Sequence, residues 1–260
     1  MPAGAGGSVH PSSVTYKSIV AYDGTDFEGF QRQKEGIRTV QASLESALSQ
    51  LGWQERAILA AGRTDRGVHA EGQVISFGFT WKHSPDKLTD AINAHLPLDV
   101  SIRETGIAPQ DFHPRFSAMS RRYRYSIFVD PHRQPLFERY AMRLKEALDL
   151  DQIQEAAKLL IGERDYRLFG PSPNPKGTTV RRIMRADWSE DGGRMVFDIE
   201  ADAFLQHMVR RITAALVEIG SGRLSVAQFQ SLLEDPGARW QGALAPSCGL
   251  CLMNVSYPAE

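Results

Sequence analysis

From Val14 to Tyr22 the chain runs as a β-type segment, and the Asp23-Gly24 pair behind it signals a turn. Val40, Leu44, Ala47, Leu48 and Leu51 then recur at helical spacing, opened by Thr39 and closed by Gly52. Ala57 to Ala61 is a short apolar strand leading into Gly62-Arg63-Thr64-Asp65-Arg66-Gly67. Ile75, Phe77 and Phe79 alternate with Ser76 and Gly78, the pattern of a half-buried strand. Ser84-Pro85 opens a helix carrying Leu88, Ile92 and Leu96, and Val100 to Ile107 reads as extended.

The second half repeats this style. Tyr123, Tyr125, Ile127 and Val129 fall on one face of a strand, and Arg122, Arg124, Ser126 and Phe128 on the other. Ile153, Ala157 and Leu160 mark a helix ending at Gly162, and Gly170 to Thr179 reads as a loop. Thr179–Trp188 and Arg194–Ala201 form a strand pair around Glu190-Asp191-Gly192-Gly193. Phe204, Met208, Ile212, Ala215, Leu216 and Ile219 predict a longer helix, stopped at Gly220. Ser225 caps another, with Val226, Phe229, Leu232 and Leu233, broken at Pro236, and Leu250 to Tyr257 returns to strand. The pattern predicts an α+β protein of two similar lobes with mostly antiparallel sheets, 14–106 and 107–260. Residues 1–13 read as a disordered Gly/Pro/Ser tail.

With 260 residues the chain buries enough surface to fold without a disulfide or a metal. No apolar run approaches the ~20 residues of a membrane span, and the start lacks the basic region and apolar core of a signal peptide. Two cysteines and no export signal place the chain, by expectation, in a reducing cytoplasm. The net charge of −1 conceals one surplus: residues 111–145 hold eight Lys/Arg against three Asp/Glu, and seven of the eight are Arg. Arg makes planar contacts to phosphate and stacks on bases, so this stretch points to nucleic acid or a phosphorylated ligand. A solvated strand face in an Arg-rich composition gives the same count.

Cys248 and Cys251 have C-x-x-C spacing, but a structural zinc site needs a second pair of ligands, and the chain has no further cysteine. The seven histidines are scattered without H-E-x-x-H spacing, so no metal is expected. Phosphate-binding loop, dinucleotide fingerprint and G-x-S-x-G elbow are all missing, so no nucleotide cofactor is expected either. What remains is Asp65 on a loop between Arg63 and Arg66, beside two glycines. A carboxylate so placed acts as nucleophile, ligand or base, or simply pairs with its neighbours in a turn.

Gly62-Arg63-Thr64-Asp65-Arg66-Gly67-Val68-His69 closely resembles the G-R-T-D-x-G-V-H signature of the tRNA pseudouridine synthase A (TruA) family. Further matches follow in order. Tyr22-Asp23-Gly24-Thr25 with Phe27–Gln33 is similar to the family's first strand and turn, and Phe116, Ala118, Arg121, Tyr123 and Tyr125 to its F-x-A-x-x-R-x-Y-x-Y element. Ala201–Arg210 resembles its A-N-A-F-L-x-H-M-V-R helix start, and Ala245-Pro246, Gly249-Leu250 and Val255–Pro258 its closing strand. The resemblance spans residues 14–258. Arg66 stands where the family has a small residue, Asp202 where Asn is common, Gln206 where His is common, and Arg164–Phe169 replaces an H-D-F-x-x-F pattern.

The resemblance implies two lobes with helices on one face, flanking a central basic cleft, and the isomerisation of tRNA uridines 38–40 in the anticodon stem-loop. It implies Asp65 as the catalytic carboxylate, by attack at C1′, attack at C6 or assistance to glycal formation. A paired uridine must be flipped out at a cost of a few kcal/mol. Arg63 is then expected to fill the vacated space and Tyr123 to stack on the base, although the strand pattern alone makes Tyr123 a core residue. Helical geometry points Arg210 away from the apolar side of its helix, which suits solvent or, by resemblance, a pair with Asp65. Arg66, Arg121, Arg122, Arg124 and Arg133, with Arg139 and Arg143, are expected to contact RNA, and the enzyme to be a homodimer. Two other readings stay open: a sister synthase with another RNA target, and a non-catalytic RNA-folding module.

Overall fold

The computed structural model describes residues 13–109, 111–172 and 177–258. Nearly all of the tail read from residues 1–13, and the middle of the 170–179 loop, lie outside the described residues. In chain order the elements are β1 (Val14–Tyr22), α1 (Val40–Gln50), β2 (Leu59–Ala60), β3 (His69–Phe79), α2 (Pro85–Asn93), β4 (Val100–Ile107) and β5 (Ser120–Val129). There follow α3 (Pro135–Glu138), β6 (Met142–Leu144), α4 (Leu150–Lys158), β7 (Gly162–Asp165), β8 (Val180–Asp191), β9 (Arg194–Ala201), α5 (Met208–Gly220), α6 (Val226–Glu234) and β10 (Leu250–Ser256).

The helix starts follow from side-chain caps. Thr39 accepts from the Ala42 N–H, Ser84 from Lys87, and Ser225 forms a reciprocal capping box with Gln228. One start differs from the periodicity: α5 begins at Met208, not Phe204, because His207 takes a left-handed conformation and Phe204–His207 turns instead of coiling. β2 is also shorter than its apolar run, and α3, β6 and β7 are new. Elements of three or four residues carry too few positions for a period to show.

One mixed, mostly antiparallel sheet runs through the described residues in the order β4-β1-β3-β10-β5-β9-β8-β7, with β2 added to β3 and β6 to β5. The two halves therefore do not carry separate sheets. The last strand of the chain closes the gap between them, parallel to β3 and antiparallel to β5. Tyr22 pairs with Ala70, Ala70 with Leu252, and Leu252 with Tyr123, so these side chains share one face. His69, Cys251, Arg124 and Asp198 follow the same ladder on the other face.

Helices cover the first face in two groups. On one half, Leu44 and Leu48 of α1 and Leu88 and Ile92 of α2 bury against Val20, Ile75 and Ile102. On the other, Ile153 of α4, Ile212 and Leu216 of α5 and Phe229 of α6 bury against Tyr125, Ile127, Phe197 and Ile199. β10 contributes Leu250 to one core and Leu252 to the other, and half-buried Tyr123 packs against both. The gap between the helix groups lies over this seam.

A polar junction ties the end of β1 to the segment after α3. Asp23 accepts from Thr25 (backbone N–H 3.0 Å, hydroxyl 2.6 Å), from Arg139 Nε (2.9 Å) and from the Tyr140 hydroxyl (2.9 Å). Burial alone would raise the Asp23 carboxyl, but the bonds from Thr25, Arg139 and Tyr140 outweigh it and hold the group well below the usual carboxylate range. A carboxyl depressed on folding stabilises the fold above its unfolded value, and that contribution drains away as pH falls towards the folded value. Comparing denaturant unfolding of wild type and Asp23→Asn, the stability gap should be full above about pH 4 and narrow below it. A gap constant from pH 7 to pH 2 would contradict this assignment.

Candidate active site

Asp65 sits on the loop between β2 and β3, and neighbours fix that loop on both sides. The Thr64 carbonyl accepts from Phe30 N–H (3.1 Å), and the Thr64 hydroxyl bonds that of buried Tyr22 (2.8 Å). Gly67 has φ +75°, and a β carbon there would also stand 2.6 Å from the Ser247 hydroxyl. A β carbon on Gly24 would meet the Val68 carbonyl oxygen at 2.0 Å, so the turn after β1 packs directly on the Asp65 loop. Gly24 and Gly67, one from each matched motif, thus each permit a close contact of this loop, with the turn after β1 and with Ser247.

The carboxylate itself is held from the far end of the chain. Its Oδ2 lies 2.7 Å from His207 Nδ1 and 3.2 Å from Arg210 Nη1. Arg210 is fixed in turn, since its Nε donates to the Ala245 carbonyl at 2.7 Å. Both partners stand at the N-terminal end of α5, where the helix dipole also favours a negative group. Arg210 was legible in the sequence. His207 was not singled out, although it stands at the histidine of the matched A-N-A-F-L-x-H-M-V-R element; the helical pattern gives no sign that it meets a residue 142 positions away.

Around Asp65 opens a cleft of about 680 Å³, large enough for a nucleotide. Its apolar wall includes Tyr123, Phe204 and Leu250. Phe204 meets the Tyr123 ring edge-on, with centroids 5.2 Å apart at 89°. Burial, with the Asp65 charge second, pushes the Tyr123 hydroxyl above the ordinary tyrosine range, so it stays protonated.

Five arginines line the cleft: Arg63, Arg115, Arg121, Arg181 and Arg210. Arg63 is exposed, and among the described residues no carboxylate pairs with it. Arg121 is a clamp, donating to the carbonyls of Asp202 (2.7 Å), Arg115 (2.6 Å) and Ala61 (3.2 Å). Arg181 is buried and bonds the carbonyls of Thr178 and Val180. Burial lowers the pKa of both guanidinium groups from its ordinary value, yet each remains cationic; the Asp202 carboxylate acts on both by its charge, and among the described residues neither forms an ion pair. Arg115 and Arg181 were not singled out by the sequence, because neither stands in a matched motif.

Other cations of the basic stretch lie elsewhere. Arg122 and Arg124 alternate with Tyr123 and so project from the opposite sheet face. Arg124 grips buried Asp198 with two prongs, 3.1 and 2.8 Å, and reaches Asp191 at 2.9 Å. Arg133 and Arg143 pair with Glu138, Arg139 with Asp23 and Asp26, and exposed Arg66 with Glu28 at 3.3 Å. The departures from the family pattern find local uses. Asp202 needs only an oxygen, which accepts from the N–H groups of Arg182 (3.1 Å) and Ala203 (2.6 Å). Gln206 is exposed at the cleft, and its carbonyl accepts from Arg211 at 2.8 Å. Cys248 and Cys251 are free thiols, and burial pushes the Cys251 thiol up to about 12.

Known proteins are similar to this chain over most of its length. The profile of the family described as tRNA pseudouridine synthase matches residues 19–117 and 156–258. A tRNA pseudouridine synthase A of Geobacter sp. (strain M21) is 41% identical over 244 residues, covering 93% of this chain and 98% of its own. That of Neisseria meningitidis serogroup B (strain ATCC BAA-335 / MC58) is 39% identical over 239 residues, or 92% and 90% of the two chains. That of Chloroflexus aurantiacus (strain ATCC 29366 / DSM 635 / J-10-fl) is 41% identical over 249 residues, or 94% and 89%. A chain in the "Crystal Structure of a Cbf5-Nop10-Gar1 Complex" aligns with 76% of this chain and 44% of its own at 13% identity and a TM-score of 0.38, too distant to bear on the fold. With the profile matched in both halves and relatives aligned over nearly their whole length, the chain belongs to the tRNA pseudouridine synthase family.

Proposed function

We propose that this protein is an isomerase that converts uridines 38–40 in the anticodon stem-loop of tRNA to pseudouridine, with Asp65 acting at the sugar–base junction. The observation that carries the reading is a carboxylate pinned by α5 inside an arginine-lined cleft with a tyrosine beside it. In the reaction the N1–C1′ bond breaks, the uracil turns and a C5–C1′ bond forms. C5 then loses its hydrogen and N1 ends protonated. No electron and no group passes to a second molecule, so the chemistry calls for no redox or group-carrying cofactor. Asp65 can serve it by attacking C1′, by adding to C6 or by taking a sugar proton on the way to a glycal.

The uridine must leave its helix to reach Asp65. Arg63, exposed and without a carboxylate partner among the described residues, fills the vacated space and holds phosphate. Tyr123, backed edge-on by Phe204, stacks on the flipped uracil. Because its hydroxyl stays protonated, it passes a proton from C5 only as a relay and not as a free base. Arg121 and Arg181 add cleft charge while bracing the walls. We place the enzyme in the cytoplasm as a homodimer whose joint surface holds the L-shaped tRNA, away from membranes. No helix among the described residues is long and apolar enough to cross one.

Two outcomes follow. Incubated with tRNA transcripts, the protein should form pseudouridine at positions 38–40, located by fragment mass spectrometry after pseudouridine-selective derivatisation. Product only at other positions would favour a sister target, and binding without product a folding module. In binding titrations Arg63→Ala should reduce the slope of log Kd against log salt by about one. Arg124→Met should leave the slope unchanged and lower the melting temperature, because Asp198 would stay buried without its partner. Equal slopes for Arg63→Ala and wild type would remove Arg63 from the phosphate contacts.

A further inference from the structure

Asp65 Oδ2 receives both anchoring contacts, and among the described residues no partner falls to Oδ1. His207 is the one non-glycine described residue with positive φ (59°), a left-handed conformation uncommon outside glycine, though Asn, Asp and His enter it more often than other side chains. It occupies the N-cap position of α5, yet its side chain makes no capping bond. A polar N-cap ordinarily spends its side chain on the helix's own N–H groups. Here the left-handed turn points the imidazole at Asp65 instead. His207 and Arg210 stand three apart, on the same side of the first turn, so α5 offers two donors to one oxygen. The Arg210 Nε bond to Ala245 keeps that fork from swinging.

We propose that His207 is a positioning residue: its strained backbone fixes an Nδ1–H donor on Asp65 Oδ2 and so turns Oδ1 towards the reacting uridine. The proposal rests on the reading of Asp65 as the group that meets the uridine. Since a carboxylate only accepts, Nδ1 carries the proton. The imidazole holds Asp65 and exchanges no proton with the RNA. A backbone outlier kept beside the site is the kind of strain that function retains.

Two substitutions separate the backbone from the donor. His207→Asn tolerates the left-handed conformation and keeps an N–H close to the place of Nδ1. His207→Gly tolerates it still better and has no donor. In tritium-release kinetics on C5-labelled tRNA, His207→Asn should keep kcat within about threefold of wild type. His207→Gly should lose about 100-fold in kcat, the scale of removing one preorganised donor, with KM and RNA affinity little changed. Loss in both variants would overturn the proposal in favour of proton transfer by the imidazole. Retention in both would overturn it by making the contact dispensable.

A second measurement needs no activity. With 15N-labelled histidine, NMR should show His207 as the Nδ1–H form in wild type and not in Asp65→Ala. An Nε2–H form in wild type would contradict the anchor. A wild type that releases no tritium from any tRNA would refute the tRNA reading instead, while the NMR result still decides whether His207 holds Asp65.

Discussion

A carboxylate on a loop is free to rotate unless something outside the loop holds it, and here that hold comes from residues 142 and 145 positions further along the chain. The bonds from His207 and Arg210 to Asp65 Oδ2 require α5 and the β2–β3 loop to keep one relative placement. That placement depends on β10, which joins β3 to β5 and gives a leucine to each hydrophobic core. A break at this seam would leave each half with its own helices and core and Asp65 without its anchors. The site is thus a property of the joined sheet and of neither half alone.

The same sheet sorts the arginines. A strand sends successive side chains to opposite faces, so Tyr123 and Arg121 reach the cleft while Arg122 and Arg124 cannot. On the far face Arg124 meets Asp198 and Asp191 and its charge is spent on the fold. On the cleft face, among the described residues, Arg121 and Arg181 bond carbonyl oxygens and form no ion pair, with Asp202 the carboxylate that acts on both by its charge. The basic surplus of residues 111–145 therefore divides between fold and cleft, which a count along the chain does not separate.

Much of this was legible in the sequence because it rests on local chemistry. Thr39, Ser84 and Ser225 announce their helices by bonds within four residues, and the apolar periods behind them become the buried faces. The Asp65 loop stood out through its glycines, of which Gly67 is the one its conformation and packing need. What stayed hidden is non-local. His207 falls within a helical pattern that runs unbroken from Phe204, and the left-handed break at that residue coincides with its contact to Asp65. The insertion of the last strand between β3 and β5 leaves no trace in the period of any segment.

The isomerisation leaves the composition of the RNA unchanged, but the hydrogen of C5 goes to solvent while N1 takes up another. A label at C5 is released only when the new C5–C1′ bond has formed. Tritium release from C5-labelled tRNA by wild type and Asp65→Asn, with RNA affinity measured in parallel, therefore tests the central claim most directly. Release by wild type, and none by the variant at unchanged affinity, is the predicted result. Equal release by both would show that the carboxylate at the centre of this cleft does not carry the chemistry.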